Sequence, residues 1–173
     1  KEQATPNGDF PTCPYPNPEI RQALEVGLKV AKDVGADILI ATDPDCDRVG
    51  IAVKQGDDFR LFSGNEVGVL LTDFIAKRKI AMGIMPKKPV LVKTIVTTDL
   101  AKRVADDYGI ETRDVLTGFK YIGDQIAGLE KDGEVDRYLL GFEESYGYLS
   151  GSYVRDKDAV NGSYLIAQMF AYY

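Results

Sequence analysis

The sequence predicts an α/β protein: two three-layer α/β lobes with mainly parallel, mixed sheets, the first lobe incomplete. Three observations carry this. Short apolar runs rich in Val, Ile and Leu alternate with longer segments whose apolar residues recur at helical spacing. Gly, Pro, Asn and Asp cluster between them and mark turns. Hydrophobic residues fill 45% of the 173 positions, enough for a packed core, yet no apolar run approaches the ~18 residues of a membrane span.

Five prolines (Pro6, Pro11, Pro14, Pro16, Pro18) make residues 1–18 an extended arm, because proline denies helix and restrains the residue before it. A helix is expected from Pro18-Glu19, with Asn17 as N-cap, Ile20, Ala23, Leu24, Leu28 and Ala31 as its apolar positions, and Gly35 at its C-terminal end. Residues 37–41 read as a short buried strand. Residues 49–54 and 59–62 flank Gln-Gly-Asp-Asp and read as a hairpin. Residues 64–79 form a helix with Asn65 near its start and basic residues in its last turn.

After a break around residues 82–88, strands at 89–96, 110–116 and 137–143 alternate with helices at 98–109, 120–133 and 158–173. In parallel sheets the loops after the strands' C-terminal ends form the binding crevice. Three polar loops qualify: 42–48, 117–120 and 143–157. A boundary is placed near residues 62–65, dividing the chain into 1–62 and 63–173. The first unit, with about 60 residues, would bury its sheet poorly alone, so more chain is expected upstream.

Twenty-one Lys and Arg face 27 Asp and Glu, a net charge of −6. That argues against a nucleic-acid partner, which calls for a basic face, but leaves room for a phosphorylated substrate in a locally basic cleft. Two cysteines, Cys13 and Cys46, make no disulfide framework; a reducing, cytoplasmic setting without a membrane is expected. Histidine is absent. Ser-His-Asp and Cys-His sites and His-ligated zinc are therefore excluded for this chain alone.

Ala41-Thr42-Asp43-Pro44-Asp45-Cys46-Asp47-Arg48 places three carboxylates in five residues after a buried strand. On composition alone an acidic surface turn reads as well as a cation site. Three details favour the cation: the position after a strand, the repulsion a divalent ion would relieve, and Arg48, which offers a phosphate a bidentate partner. A calcium EF-hand does not fit. Counted from Asp43, its glycine and glutamate positions hold Arg48 and Lys54, and strands flank the loop. A haloacid-dehalogenase-type phosphatase also sets Asp-x-Asp after a strand, and a non-catalytic cation- or sugar-phosphate-binding module remains a further reading.

The same stretch, with Val49-Gly50-Ile51-Ala52-Val53, resembles the metal loop of the α-D-phosphohexomutases, the phosphoglucomutase/phosphomannomutase family. Residues 10–19 (FPTCPYPNPE) resemble the segment before that loop. Residues 117–123 (TGFKYIG) are similar to the family's hinge loop. Residues 141–147 (GFEESYG) and 154–160 (VRDKDAV) are similar to its sugar-recognition loop and the basic stretch after it. Four blocks fall in the family's order over nearly the whole chain. The Glu-Glu-Ser-aromatic-Gly form is most similar to the Gram-positive bacterial phosphoglucomutases.

The resemblance implies a reaction in which a phosphoserine phosphorylates a hexose phosphate, glucose 1- or 6-phosphate or a mannose phosphate. The resulting bisphosphate then returns its other phosphoryl group. It implies Mg²⁺ held by Asp43, Asp45 and Asp47, with Arg48 on the transferring phosphoryl. It implies that Glu143 and Ser145 bind sugar hydroxyls, that Thr117 and Gly118 add a hinge contact, and that Lys157 acts as acid or base near the reacting oxygens. Arg155 and Lys120 would add positive charge. Read alone, Thr-Gly-Phe-Lys is a helix-start turn capped by Thr117, and Lys157 is a surface lysine paired with Asp156 or Asp158. Cys46 is expected to face away from the ion, a thiolate being too soft for it. Tyr146 and Tyr148 could line the sugar side. The family's Thr-Ala-Ser-His-Asn-Pro phosphoserine loop has no counterpart here, nor has its C-terminal phosphate-gripping domain. The chain thus reads as a central fragment, the rear of domain 2 (1–62) and most of domain 3 (63–173), inactive without its flanking domains.

Overall fold

The computed structural model describes residues 3–173. The expected extended arm, whose residues 1–2 lie outside the described residues, is instead a run of turns: the N–H of Phe10 donates to the Asn7 carbonyl at 3.2 Å and that of Cys13 to the Phe10 carbonyl at 2.9 Å. α1 (Arg21–Val34) starts later than expected. Asn17 accepts the Glu19 N–H at 2.9 Å and so closes a separate turn; Ile20 is the N-cap and offers no side-chain bond. Gly35 closes the helix in the left-handed conformation.

β1 (Ile38–Thr42), β2 (Val49–Gln55) and β3 (Asp58–Phe62) make the first sheet. All three pair antiparallel, in chain order. Parallel pairing, expected of both sheets, is therefore confined to the second. The links β1–β2 and β2–β3 are too short for a crossover, which needs a dozen residues or more. Alternation along β2 sorts its faces. Ala52 packs with Leu24, Leu28 and Ala31 of α1, while Val49 and Ile51 enter the main core with Val67, Leu71 and Phe142. The hydrophobic core thus runs across the boundary region near 62–65, and burial of the small sheet's second face comes from the second lobe.

α2 (Gly64–Ala81) begins with a capping box. Ser63 accepts the Glu66 N–H, and Glu66 accepts the Ser63 N–H at 2.8 Å. Asn65 has another use: its Oδ1 accepts the Thr98 N–H at 3.0 Å. The second sheet has the order β5 (Glu111–Val115), β4 (Val90–Thr94), β6 (Tyr138–Phe142), β7 (Tyr148–Leu149). The first three run parallel, and β7 is an antiparallel edge. α3 (Asp99–Asp107) and α4 (Phe119–Lys131) are crossover helices, and α5 (Ala159–Tyr172) closes the fold. Residues of α4 bury Val90 and Val92 on one face, and residues of α2, α3 and α5 bury Leu91, Leu140 and Phe142 on the other. β4 is buried throughout because it lies between two strands and two helical layers.

No helix among the described residues is long and apolar enough to cross a membrane.

Candidate functional site

The loop between β1 and β2 is folded by its own first carboxylate. Asp43 is buried, and its Oδ1 accepts the N–H groups of Asp47 (3.1 Å) and Arg48 (3.0 Å). Its Oδ2 takes the Arg48 Nε at 2.7 Å. Asp45 and Asp47 converge with it: one carboxylate oxygen from each of the three lies within 4.8 Å of the others. Cys46 sits at φ 59°, and its side chain packs against the core, away from the acidic cluster as expected. Burial opposes ionisation of Asp43, but the hydrogen bonds from Arg48 outweigh it and hold the carboxyl below its ordinary range. Asp47 moves the other way: burial and the neighbouring Asp43 outweigh its contact with Lys157. Three hard oxygen donors suit a Mg²⁺ ion.

The loop after β6 lies directly against this one. The Val49 N–H donates to the Tyr146 carbonyl at 3.0 Å, and Arg48 and Gly147 form an antiparallel bridge. The segment before α5 joins them, the Ala159 N–H donating to the Cys46 carbonyl at 3.1 Å. Asp158 caps α5 by accepting the N–H groups of Val160 and Asn161. That cap orients Lys157, whose Nζ reaches Asp47 Oδ2 at 2.8 Å. Burial lowers the lysine's proton affinity, but Asp47 and Asp156 win and hold it above the ordinary value, so it is an ammonium. Among the described residues, the next carboxylates to Arg48 are Asp47 and Glu19, at 3.8 and 3.9 Å.

Glu143 and Gly118 also meet: the Gly118 N–H donates to Glu143 Oε1 at 2.9 Å. Glu143 is 5% exposed, and burial pushes its carboxyl up against the opposing effects of Gly118 and Lys157. Gly118, at φ 121°, is the N-cap of α4 and supplies no side-chain bond. Thr117 stands exposed outside the helix, so the expected threonine cap is not made. Ser145 is half-buried in the same loop as Glu143.

Two expected contributors of positive charge are engaged elsewhere. Arg155 pairs with Glu130 of α4 and donates to the Val154 carbonyl. Lys120 lies 4.9 Å over the Tyr121 ring. Tyr148 is fully buried, its hydroxyl donating to the Gly64 carbonyl at 3.1 Å, and Tyr146 packs in the main core. A cavity of ≈ 550 Å³ lies between the proline arm, α1 and β1 and touches the acidic loop only at Thr42, Asp43 and Pro44.

Sequence reasoning passed over Glu144, Lys93, Thr94 and Thr97, a polar cluster behind the second loop. Lys93 left a readable trace: one charge inside an otherwise apolar, β-branched strand.

The family models for phosphoglucomutase/phosphomannomutase, alpha/beta/alpha domain II and domain III, match residues 1–56 and 63–173. A phosphoglucomutase of Staphylococcus saprophyticus is 45% identical over 161 residues, covering 92% of this chain and 28% of that protein. A phosphoribomutase of Saccharomyces cerevisiae is 35% identical over 174 residues, covering 98% of this chain and 28% of that protein. A phosphoglucomutase/phosphomannomutase family protein of Burkholderia thailandensis superposes with a TM-score of 0.73 at 19% identity, covering 96% of this chain and 33% of that one. The last is a likeness of fold alone. The chain thus spans less than a third of the length of these relatives.

Proposed function

The chain belongs to the phosphoglucomutase/phosphomannomutase family, and we propose that its parent protein interconverts hexose 1-phosphate and hexose 6-phosphate, glucose phosphates first, as a Mg²⁺-dependent intramolecular phosphotransferase. This chain supplies the metal loop, in a unit spanning 1–62, and the sugar loop, in a unit spanning 63–173. The observation that carries the reading is the direct pairing of the two loops, Val49 to Tyr146 and Arg48 to Gly147, with Lys157 beside both. Separate surfaces for the two loops would leave nothing to bring a hexose hydroxyl to a phosphoryl group.

Asp43, Asp45 and Asp47 would hold the ion, which would neutralise charge on the transferring phosphoryl. Arg48, oriented by Asp43, adds a fixed positive charge there. Glu143 has one oxygen on Gly118 and keeps its other for sugar hydroxyls, with Ser145 as donor or acceptor beside it. Lys157 starts protonated, so it acts as a proton donor and positive charge near the reacting oxygens. The phosphoserine, and the grip on the phosphate that stays in place, belong to other domains of the parent. Thr117 provides a hinge-side contact. The free thiols Cys13 and Cys46 suit a cytoplasmic setting.

The test uses the parent protein with glucose 1-phosphate and Mg²⁺. Glucose 6-phosphate should form, chelation should stop it, and Asp45→Asn should abolish it. Release of inorganic phosphate without isomerisation would overturn the reading in favour of a phosphatase. The likeness to a phosphoribomutase calls for ribose and mannose phosphates as parallel arms. A kcat/KM for ribose phosphate above that for glucose phosphate would move the assignment to a pentose.

A further inference from the structure

We propose that Glu144 is a positioning residue for the sugar loop, setting where Glu143 and Ser145 are presented. The inference rests on the function proposed above. Glu143 and Glu144 follow β6 in succession, where the chain enters a turn, and their carboxylates engage different elements. Glu143 turns to Gly118. Glu144 turns to the end of β4, where its Oε2 accepts from the hydroxyls of Thr94 (3.1 Å) and Thr97 (3.2 Å). Those hydroxyls are 2.7 Å from each other. Two hydroxyl protons thus serve three contacts, and however they are shared the carboxylate keeps at least one donor.

The anchor is itself fixed. Thr94 and Thr97 are buried. Beneath them Lys93, 1% exposed, donates to the Thr97 carbonyl at 3.1 Å and pairs with Asp114 (2.7 Å) and Asp99 (3.3 Å). The turn that follows is tied to α2 through Asn65 and the Thr98 N–H. On the other side the Glu144 backbone presses on α2: a Cβ on Gly64 would sit 2.0 Å from the Glu144 carbonyl oxygen. The sugar loop is therefore clamped between α2 and the β4–α3 turn, and Glu144 is the side chain that closes the clamp. The acidic loop meets this loop at Tyr146 and Gly147, and its bonds to Asp43 do not involve the Glu144 side chain.

The test compares Glu144→Ala, Glu144→Gln and Thr97→Val in the parent enzyme, reading kcat and KM for glucose 1-phosphate, Mg²⁺ affinity and thermal midpoint. Glu144→Ala should lower kcat/KM by about 10- to 100-fold, chiefly through KM, with Mg²⁺ affinity unchanged, since a misplacement of ~1 Å costs up to about 100-fold. Glu144→Gln keeps an acceptor and should recover most of the loss, with Thr97→Val in between. Kinetics of Glu144→Ala like those of the parent, no rescue by Gln, or Mg²⁺ affinity falling in step would each overturn the proposal. If Glu144→Ala does not fold, Thr97→Val decides: a raised KM supports the clamp and an unchanged one refutes it. Glu143→Ala in the same series separates the two ideas. Unchanged kinetics there defeats the proposed function, whereas a crippled Glu143→Ala beside a normal Glu144→Ala defeats this inference alone.

Discussion

The two loops that meet in the candidate site are held by opposite means. The acidic loop ties itself: Asp43 bonds the N–H groups of residues four and five positions on, and the guanidinium that answers it is Arg48. The sugar loop is held from afar, by Gly118 at a separation of 25 residues, Thr94 at 50, and Gly64, which bonds Tyr148 across 84. A loop of the first kind takes its inner shape from its own sequence, while its rim pairs with Tyr146, Gly147 and Ala159. A loop of the second kind takes its shape only when distant elements have already packed, so its geometry belongs to the assembled fold.

The sharpest way to break this contrast is Gly64→Ala. The added Cβ would meet main chain, the Glu144 carbonyl, which cannot swing aside as a side-chain tip can. We expect a stability loss of about 3 kcal/mol, at the upper end of overpacking costs, read as a lowered urea midpoint. Sugar-phosphate affinity should fall with it while Mg²⁺ affinity holds. Equal loss of both would show that the two loops are one cooperative unit.

Asp43 and Asp45 differ within the acidic loop. Asp43→Asn weakens three bonds to a buried acceptor and should cost about 1–3 kcal/mol as well as Mg²⁺ affinity. Asp45 is exposed, and its replacement by Asn should stay within about 0.5 kcal/mol while removing Mg²⁺ affinity just as fully. Titration calorimetry beside urea unfolding checks both.

The two buried carboxylates, Asp43 and Glu143, should also answer pH with opposite sign. The Asp43 carboxyl is held below its ordinary value of 3.8, so its contribution to stability is present above that value and is lost as pH falls through the folded one. The Glu143 carboxyl is raised above 4.5 by burial, so its contribution is present below that value and is lost as pH rises through the folded one. Urea midpoints across roughly pH 3 to 7 should therefore diverge. Asp43→Asn should flatten the acid-side loss, and Glu143→Gln should gain on the parent sequence as pH rises.

Legibility followed the same division between local and distant. The trio Asp43, Asp45 and Asp47, the hairpin around Gly56 and the Gly35 cap could be read because each is complete within a few residues. Ser63 and Glu66 also carry the spacing of a capping box, but Asn65 is the more conspicuous cap residue, and its amide proved to serve Thr98, 33 residues away. The Glu144 clamp could not be read, because nothing local tells which of two adjacent glutamates faces the site. β7 has two residues, too few for a period to show, and its Tyr148, stacked on Phe142, sends its hydroxyl to Gly64 of α2, 84 residues away. The antiparallel first sheet was partly written in its short links, but the cover on its second face came from the other lobe.

The smallest expected effect concerns Arg155, which lies just ahead of Lys157 yet pairs with Glu130 on α4. Both partners are more than a third exposed, so the pair contributes at most about 1 kcal/mol. Arg155→Gln should leave the urea midpoint and the KM for glucose 1-phosphate almost unmoved, whereas Lys157→Gln, which removes the ammonium beside Asp47, should lower kcat strongly. The two residues flank Asp156 in a short charged stretch, and the partner each side chain reaches separates them. A rise of about tenfold in KM for Arg155→Gln, worth ~1.4 kcal/mol, would mean that the Glu130 pair opens and the guanidinium swings to the sugar phosphate. The stretch 154–158 would then belong with the sugar loop, as an element whose working shape is set from outside, and the Asp158 cap would be its pivot.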